Sequence, residues 1–271
     1  MNFYKELELI LEAKEPREKF SRFYDFYDKF QKGEMLFDEA FLTKKFATPS
    51  YDEICITVPP QQVPKRSNLT SRKGQINLLH AVAHIEYSAI DLALDAAYRF
   101  HNLPHQYYTD WLEVAEDEIR HFLMLEKLLH KLDAKYGDVA VHDALFEASQ
   151  KTQTLLERMA VVPRYLEANG LDATPMILKK LTKLPKSEMI EQIIQNLETI
   201  LEEEIDHVKK GDVWFKYICQ KEKKEEKIYF DIIAKYYPRG FLRPNDLNID
   251  ARKEAGFSCS ELKVMAQKEV C

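Results

Sequence analysis

Two segments of the sequence place a glutamate and a histidine three residues apart: Glu118 with His121, and Glu204 with His207. Residues three apart share one face of an α-helix, so each pair predicts a carboxylate beside an imidazole. Carboxylate oxygen and imidazole nitrogen are suitable ligands for iron and manganese. Because the chain has 8 histidines and 45 acidic residues, about one such spacing is expected by chance. The residues around each pair therefore decide whether the spacing has a function.

Both pairs interrupt apolar stripes of helical sequence. Apolar residues at helical spacing precede and follow Glu118 and His121, and the same holds for Glu204 and His207. Glu86 interrupts a third stripe in the same way. A buried carboxylate without a partner costs several kcal/mol, so these acids need compensating positive charge. The stripes contain almost no lysine or arginine, whereas two metal ions would supply that charge.

A third helical segment should contribute one more carboxylate, and it offers two candidates. Glu167 shares its helical face with Met159, Ala160 and Pro163, whereas Glu157 lies on a more polar face. Counting residues back to the preceding turn favours Glu157 instead. We predict Glu167, because the polarity of the face is better defined than the loop lengths. The complete predicted ligand set is Glu86, Glu118, His121, Glu167, Glu204 and His207.

Four long helical patterns must position these ligands, and they cover residues 73–100, 104–135, 142–169 and 187–220. Glu86 lies fourteen residues from Phe100, and Glu118 lies fourteen from Pro104, which is about 21 Å along each helix. Antiparallel packing would bring the two acids to one level. The stretch after residue 169 is expected to be a long crossover. One Glu from each of two helices and Glu-x-x-His from each of the other two is the ligand pattern of di-iron carboxylate bundles.

The sequence therefore predicts an all-α fold: a ferritin-like four-helix bundle with additional N-terminal helices and a C-terminal tail that wraps the bundle. The predicted domains are an N-terminal helical extension (1–46), a proline-rich connector (47–72), the bundle (73–236) and the tail (237–271). Pro16 is expected to interrupt the helices of the extension.

Composition narrows the class of protein. Only 7 glycines and long runs of Leu, Glu, Lys and Ala are typical of a mostly helical protein. The formal net charge is −6, and basic residues are scattered among acids. The sequence therefore offers no large basic face for nucleic acid.

The cysteines and the apolar segments indicate the compartment. Cys55, Cys219, Cys259 and Cys271 form no C-x-x-C spacing, which indicates neither a zinc site nor a disulfide framework and favours a reducing cytoplasm. The N-terminal residues do not resemble a signal peptide. Residues 76–100 are the most apolar segment, but the histidines and acids within them would be costly in lipid. We expect no membrane span.

A second pair of histidines, His80 and His84, lies four residues apart, a spacing that could bind zinc. Their face turns away from Glu86, which favours a polar seam in contact with the connector or the tail. Four aromatic residues could wall a pocket beside the metal ions, and core packing explains them more simply: Tyr87, Phe122, Trp214 and Phe215.

Six blocks of sequence carry a family resemblance: HIEYSAIDLALDAAYRF, DWLEVAEDEIRHFLMLEKLL, YGDVAVHDALFEA, VPRYLEANGLDATP, EEEIDHVKKGDVWF and YYPRGF. They closely resemble a bacterial family of unknown function, numbered 455, in the ferritin-like superfamily. The resemblance implies a ferritin-like bundle with a dinuclear metal centre and no settled activity. The family's motif acids and histidines fall on Glu86, Glu118, His121, Glu204 and His207, and the LEANGLD block points to Glu167. The chain differs from the family in having the residues LEAN where LEAR is common.

The expected function is that of a di-metal oxidoreductase, with Fe/Fe or Mn/Fe, which activates dioxygen. An unidentified small-molecule substrate and electron donor would be its partners. Three alternatives stay open: metal storage, a structural helical interaction protein, and an enzyme similar to the tRNA hydroxylases of the superfamily. The acidic charge does not favour tRNA. We expect a monomer or dimer, because the long terminal extensions would obstruct a storage cage.

Overall fold

The structure is a computed structural model that describes residues 1–241 and 246–271. In these ranges the chain forms α1 (Phe3–Glu12), α2 (Pro16–Gln31), α3 (Arg72–Arg99), α4 (His105–Lys131), α5 (Ala144–Lys151), α6 (Leu155–Val161), α7 (Ala168–Leu181), α8 (Glu188–Lys221), α9 (Ile228–Tyr236), α10 (Ile249–Glu254) and α11 (Cys259–Ala266). A 3₁₀ turn covers Pro60–Gln62, and a π segment covers Val162–Glu167. The described residues contain two isolated β-bridges and no strand, so the predicted all-α fold is confirmed.

The chain divides into two compact units, residues 1–146 and 147–271. Each unit has its own buried apolar core. The predicted domain ranges, which place residues 73–236 in one bundle, remain a prediction.

In the first unit, α3 and α4 form an antiparallel hairpin, because only residues 100–104 separate them. The Ser71 side chain caps α3 by accepting from the backbone N–H of Gly74 at 3.1 Å. The N-terminal extension contains two helices, α1 and α2, and α2 begins at Pro16. Buried Lys19 of α2 forms an ion pair with Asp91 of α3, which fixes α2 against the hairpin. The extension therefore belongs to the same packed unit as the hairpin.

The second unit corrects the predicted third helix. Instead of one helix over 142–169, the chain forms α5, a break at residues 152–154, α6, the π segment and α7. The break occurs where Thr154 begins a new helix with a capping box, in which its side chain accepts from the backbone N–H of Glu157. The predicted crossover after residue 169 is also wrong over most of its length, because α7 stays helical to Leu181.

The C-terminal segment packs against α7, α8 and the π segment within the second unit. Arg252 of α10 forms an ion pair with Asp172 of α7 at 2.6 Å and donates to the backbone oxygen of Ala168 at 3.0 Å. Glu261 of α11 accepts from Arg164 of the π segment at 2.7 Å. These buried polar contacts anchor the tail more specifically than apolar packing alone.

A disulfide joins Cys259 and Cys271, a pairing that the spacing of the cysteines did not indicate. The chain reverses at Gln267, whose φ of 53° ends α11 in the left-handed region. This reversal returns the C-terminus to the start of α11. Cys55 and Cys219 are free and buried.

The apolar segment at 76–100 lies within α3 except for Phe100, and α3 buries His80, His84 and Asp95. Among the residues that the structure describes, we find no helix with the length and hydropathy needed to span a bilayer.

Candidate metal centre

The first unit brings three of the predicted ligands together. Glu86 lies on α3, and Glu118 and His121 lie on α4; their candidate ligand atoms are within 4.8 Å of one another. The Nδ1 atom of His121 is 3.4 Å from an oxygen of Glu86 and 3.4 Å from an oxygen of Glu118. All three side chains are buried. We call these three residues the first-unit cluster.

The hairpin explains why the cluster forms. Glu86 lies thirteen residues before Arg99, the end of α3, and Glu118 lies thirteen residues after His105, the start of α4. Each is therefore about 20 Å from the shared turn. Glu118 and His121, three apart on α4, present both side chains on one face of that helix.

Burial and like charge shape the electrostatics of the cluster. Burial, reinforced by the neighbouring Glu118 carboxylate, raises the pKa of Glu86 to about 8. Burial alone would lower the pKa of His121, but its contacts with Glu118 and Glu86 raise that pKa to about 11. Burial thus favours the protonated form of Glu86, and the two carboxylates favour the protonated form of His121. A cation bound here would displace both protons.

Aromatic side chains surround α3 and α4 beside the cluster. The rings of Tyr87 and Phe122, the residues next to Glu86 and His121 in sequence, lie 5.2 Å apart. Phe20 of α2 packs on Phe122 at 5.6 Å. All three rings are buried, so they keep water from this side of the hairpin.

The second unit presents the other carboxylate–imidazole pair on α8. The Nδ1 atom of His207 lies 3.5 Å from an oxygen of Glu204. The His207 side chain is fully buried, and that of Glu204 is 13% exposed. The pair thus repeats the local geometry of Glu118 and His121, since both rest on the i, i+3 spacing of an α-helix.

The two candidates on the third helical segment have different surroundings. Glu157 completes the capping box of α6 by accepting from the backbone N–H groups of Gln153 and Thr154 at 3.1 and 3.2 Å. It also forms an ion pair with Lys235 at 2.6 Å. Although partial burial opposes the effect, these contacts lower the pKa of Glu157 to about 2. Glu167 ends the π segment with one carboxylate oxygen buried.

Arg164 is the buried basic residue of the π segment, and the sequence did not indicate its role. Its guanidinium carbon lies 4.5 Å from the ring centres of Phe215 and Tyr229. Its Nε atom lies 2.9 Å from Asp212 of α8, an ion contact. A π segment inside a helix often marks a functional site, and this one carries Glu167 three residues after Arg164. Pro163 was the available sequence signal, because proline disrupts regular helical hydrogen bonding.

Pro163 also explains a glycine on α8. A Cβ atom added at Gly211 would lie 2.2 Å from the Cβ atom of Pro163. Only glycine allows α8 to approach the π segment this closely. The close approach fixes the segment that carries Glu167.

His80 and His84 form hydrogen bonds with the residues that follow α4, whereas the sequence favoured contacts with the connector or the tail. The Nε2 atom of His80 accepts from the backbone N–H groups of Gly137 and Val139 at 2.8 and 3.4 Å. His84 bonds the Tyr136 hydroxyl and the His142 carbonyl, each at 2.8 Å. These contacts give the two histidines a structural role in holding residues 136–142.

The donor set of the first-unit cluster fits a transition metal. It combines two carboxylates and one imidazole nitrogen, all buried and converging, which suits iron or manganese better than calcium or magnesium. In the second unit, Glu204 and His207 offer the same donor types.

The structure thus defines an all-helical protein with a buried cluster of glutamate and histidine in its first unit and a glutamate–histidine pair on α8. Comparison with known families assigns it more narrowly: the family described as "Protein of unknown function (DUF455)" matches residues 12–263, and the chain belongs to that family. An uncharacterized protein of Haemophilus influenzae is 35% identical over 272 residues, which cover 96% of this chain and 92% of that protein. No solved structure matches the chain.

Proposed function

We propose that this protein is a ferritin-like di-metal oxidoreductase that activates dioxygen, and that Glu86, Glu118, His121, Glu167, Glu204 and His207 hold its two metal ions. In this proposal, Glu118 with His121 and Glu204 with His207 supply one imidazole to each metal ion. Glu86 and Glu167 supply the remaining carboxylates.

The observation that carries the proposal is the first-unit cluster. Two buried carboxylates and an imidazole converge within 4.8 Å in a protein core, where like charge is costly without a cation. The pair on α8 has the same donor types at the same spacing. The capping box and ion pair of Glu157 favour Glu167 as the sixth ligand.

The roles of the chain's own residues follow from their chemistry. The carboxylates would bind and neutralise the metal ions, and the imidazoles would fix one nitrogen donor each. Tyr87, Phe122 and Phe20 would exclude water from one side of the site. When bound, iron or an iron–manganese pair would supply the redox chemistry of dioxygen activation, which amino-acid side chains lack.

Elemental analysis tests the metal centre. The protein purified without chelator should contain about two equivalents of iron or manganese, and a Glu118→Ala, Glu204→Ala double variant should contain almost none. Glu157→Gln is the matched control, because it removes a carboxylate from the same unit as Glu204 and should retain the metal. Equal metal contents in the parent and the double variant would refute the ligand assignment.

Dioxygen uptake tests the reaction class. The ferrous-loaded parent should consume dioxygen, and the double variant should not. A metal-loaded parent that consumes none over the same period would leave a metal-binding protein without the proposed activity.

A structural role for the acids is the second candidate. His121 lies 3.4 Å from both Glu86 and Glu118, and a protonated imidazole there would partly offset the buried charge without a metal. If the acids have only this structural role, the protein without metal should be as stable to unfolding as the protein dialysed against iron. Metal storage would instead give a large cage, whereas the oxidoreductase should elute from gel filtration as a monomer or dimer.

We also propose a cytoplasmic location. Two of the four cysteines, Cys55 and Cys219, are buried free thiols, which a reducing compartment preserves. Burial raises the pKa of each to about 11, so neither is a reactive thiolate. In a reducing compartment the exposed Cys259 and Cys271 would also be thiols, and the disulfide between them would form only on oxidation. Cell fractionation with recovery in a periplasmic or membrane fraction would contradict this location.

A further inference from the structure

A cavity lies in the first unit, on the outer side of α3. It has a volume of about 250 Å³ and lies between the connector, α3 and residues 139–142. Lys65 and Arg66 of the connector line it, together with Asn77 and His84 of α3 and His142. His84 and Glu86 are two residues apart on α3, about 200° around the helix, so the cavity opens on a different face from the first-unit cluster.

The charge of the cavity is opposite to that of the whole chain. Two cationic side chains and three histidines line it, and none of its described lining residues is an acid. The chain as a whole has a formal net charge of −6. Lys65 and Arg66 are exposed and form no ion pair with any residue in the described ranges, so both charges are available to a ligand. An anion is the charge type that these side chains favour.

Hydrogen bonds position the polar groups of the cavity. The Asn77 side chain donates to the backbone oxygen of Lys65 at 3.2 Å, which holds the cationic end of the connector against α3. The Nδ1 atom of His142 accepts from the backbone N–H of Ala144 at 3.4 Å, so its Nε2 atom carries a proton and is a donor. His80 is engaged with backbone N–H groups and supplies no charge.

The cavity also has an apolar part. Val63, Pro64, Ile85 and Val141 line it beside the polar groups. Its volume lies somewhat below the range of about 300–1,000 Å³ that holds drug-sized ligands. A small molecule with one aromatic or aliphatic group and one anionic group matches both the size and the lining of the cavity.

We propose that this cavity is a binding site for a small organic anion, a phosphate or carboxylate attached to an apolar body. Lys65 and Arg66 bind the anionic group, the His142 imidazole donates to it, and the apolar side chains contact the body of the ligand. The site is independent of the proposed metal centre, because it requires none of the proposed metal ligands.

Calorimetric titration of the whole chain tests the site with four probes: phenyl phosphate, benzoate, inorganic phosphate and benzyl alcohol. The two organic anions should bind, and the stronger of them identifies the headgroup. Inorganic phosphate and neutral benzyl alcohol should each bind at least about tenfold more weakly, because each lacks one half of the recognised ligand. No binding of either organic anion, or equal binding of benzyl alcohol, would overturn the proposal.

A charge-matched pair of variants tests the assigned cations. Lys65→Gln with Arg66→Gln should weaken binding of the organic anion about tenfold or more. Lys5→Gln with Lys127→Gln changes the net charge equally at exposed positions outside the cavity lining and should leave affinity within about twofold. Equal losses in both variants would show general electrostatic attraction and refute the site.

A cavity-filling variant tests the location without changing charge. Ala81 lines the cavity from α3 and is partly exposed, so Ala81→Phe should fill it while the unit still folds. Binding should be lost in Ala81→Phe and retained in Ala81→Ser, and circular dichroism should be the same for both. Full affinity in a folded Ala81→Phe variant would place the ligand elsewhere.

Discussion

Replacing Arg164 with methionine should destabilise the second unit by about 3–4 kcal/mol. The guanidinium is completely buried and contacts two carboxylates, Asp212 at 2.9 Å and Glu261 at 2.7 Å. Methionine fills a similar volume but leaves both acids without their shared cation. Because burial separates these charges from water, the loss exceeds that of an exposed ion pair.

The other contacts of Asp212 and Glu261 determine how large the loss of stability is when Arg164 is replaced. Removing one partner of a buried ion pair costs about 3–5 kcal/mol. Asp212 keeps Lys216 at 2.7 Å, and Glu261 keeps the backbone N–H of Ser258 at 2.9 Å. These contacts partly compensate both acids, which places the expected loss in the lower half of the range.

Urea unfolding followed by tryptophan fluorescence measures the loss. The chain has 2 tryptophans, Trp111 in the first unit and Trp214 in the second. A Trp111→Phe background therefore reports on the second unit alone. Lys151→Met is the control, because it removes an exposed ion pair with Glu147 in the same unit and should cost at most about 1 kcal/mol. If Arg164→Met costs no more than this control, the buried network does not anchor the tail as described.

Three further predictions concern the same structure. Gly211→Ala forces a Cβ atom to 2.2 Å from Pro163, so thermal unfolding should show a loss of about 1–3 kcal/mol, whereas Gly170→Ala, with open space around the added Cβ, should be neutral or slightly stabilising. Burial lowers the pKa of His80 from 6.5 to about 4, so between these two pH values the unfolded state binds more protons than the folded state. The free energy of unfolding should therefore fall as the pH falls from 6.5 to 4, and His80→Gln should flatten that slope in urea titrations. Metal binding to the first-unit cluster near pH 7 should release about two protons, one from Glu86 and one from His121, because the pKa of each is raised. Calorimetry in buffers of different ionisation enthalpy measures this number, and release of no proton would contradict the protonation described above.

Helical periodicity was informative where a helix is long and continuous. The predicted patterns at 73–100 and 187–220 differ by one residue at each end from α3 and α8. Two of the three acids inside the apolar stripes are buried: Glu86 and Glu118 are 4% and 0% exposed, whereas the Glu204 side chain is 13% exposed. Side-chain burial follows from periodicity here because one face of a long helix must pack against its neighbour.

Periodicity failed in the third segment at two interruptions, of which one is local and the other depends on distant parts of the chain. Thr154 restarts the helix with its own capping box, a signal that the Thr154–Glu157 spacing contained. The π segment has a different origin: Pro163 packs against Gly211 of α8, and Arg164 bonds Glu261 of α11. Neither contact is visible in a local window of sequence.

The sequence by itself determined the all-α class, the two glutamate–histidine pairs and the burial of Glu118 and of both histidines, because each depends on the spacing of residues within one helix. Only the tertiary structure decided that Cys259 pairs with Cys271, that Arg164 fixes the π segment, and that the connector closes a cationic cavity over α3. These features join residues distant in the chain. Their free energies arise from burial and charge pairing, which exist only after the helices have packed.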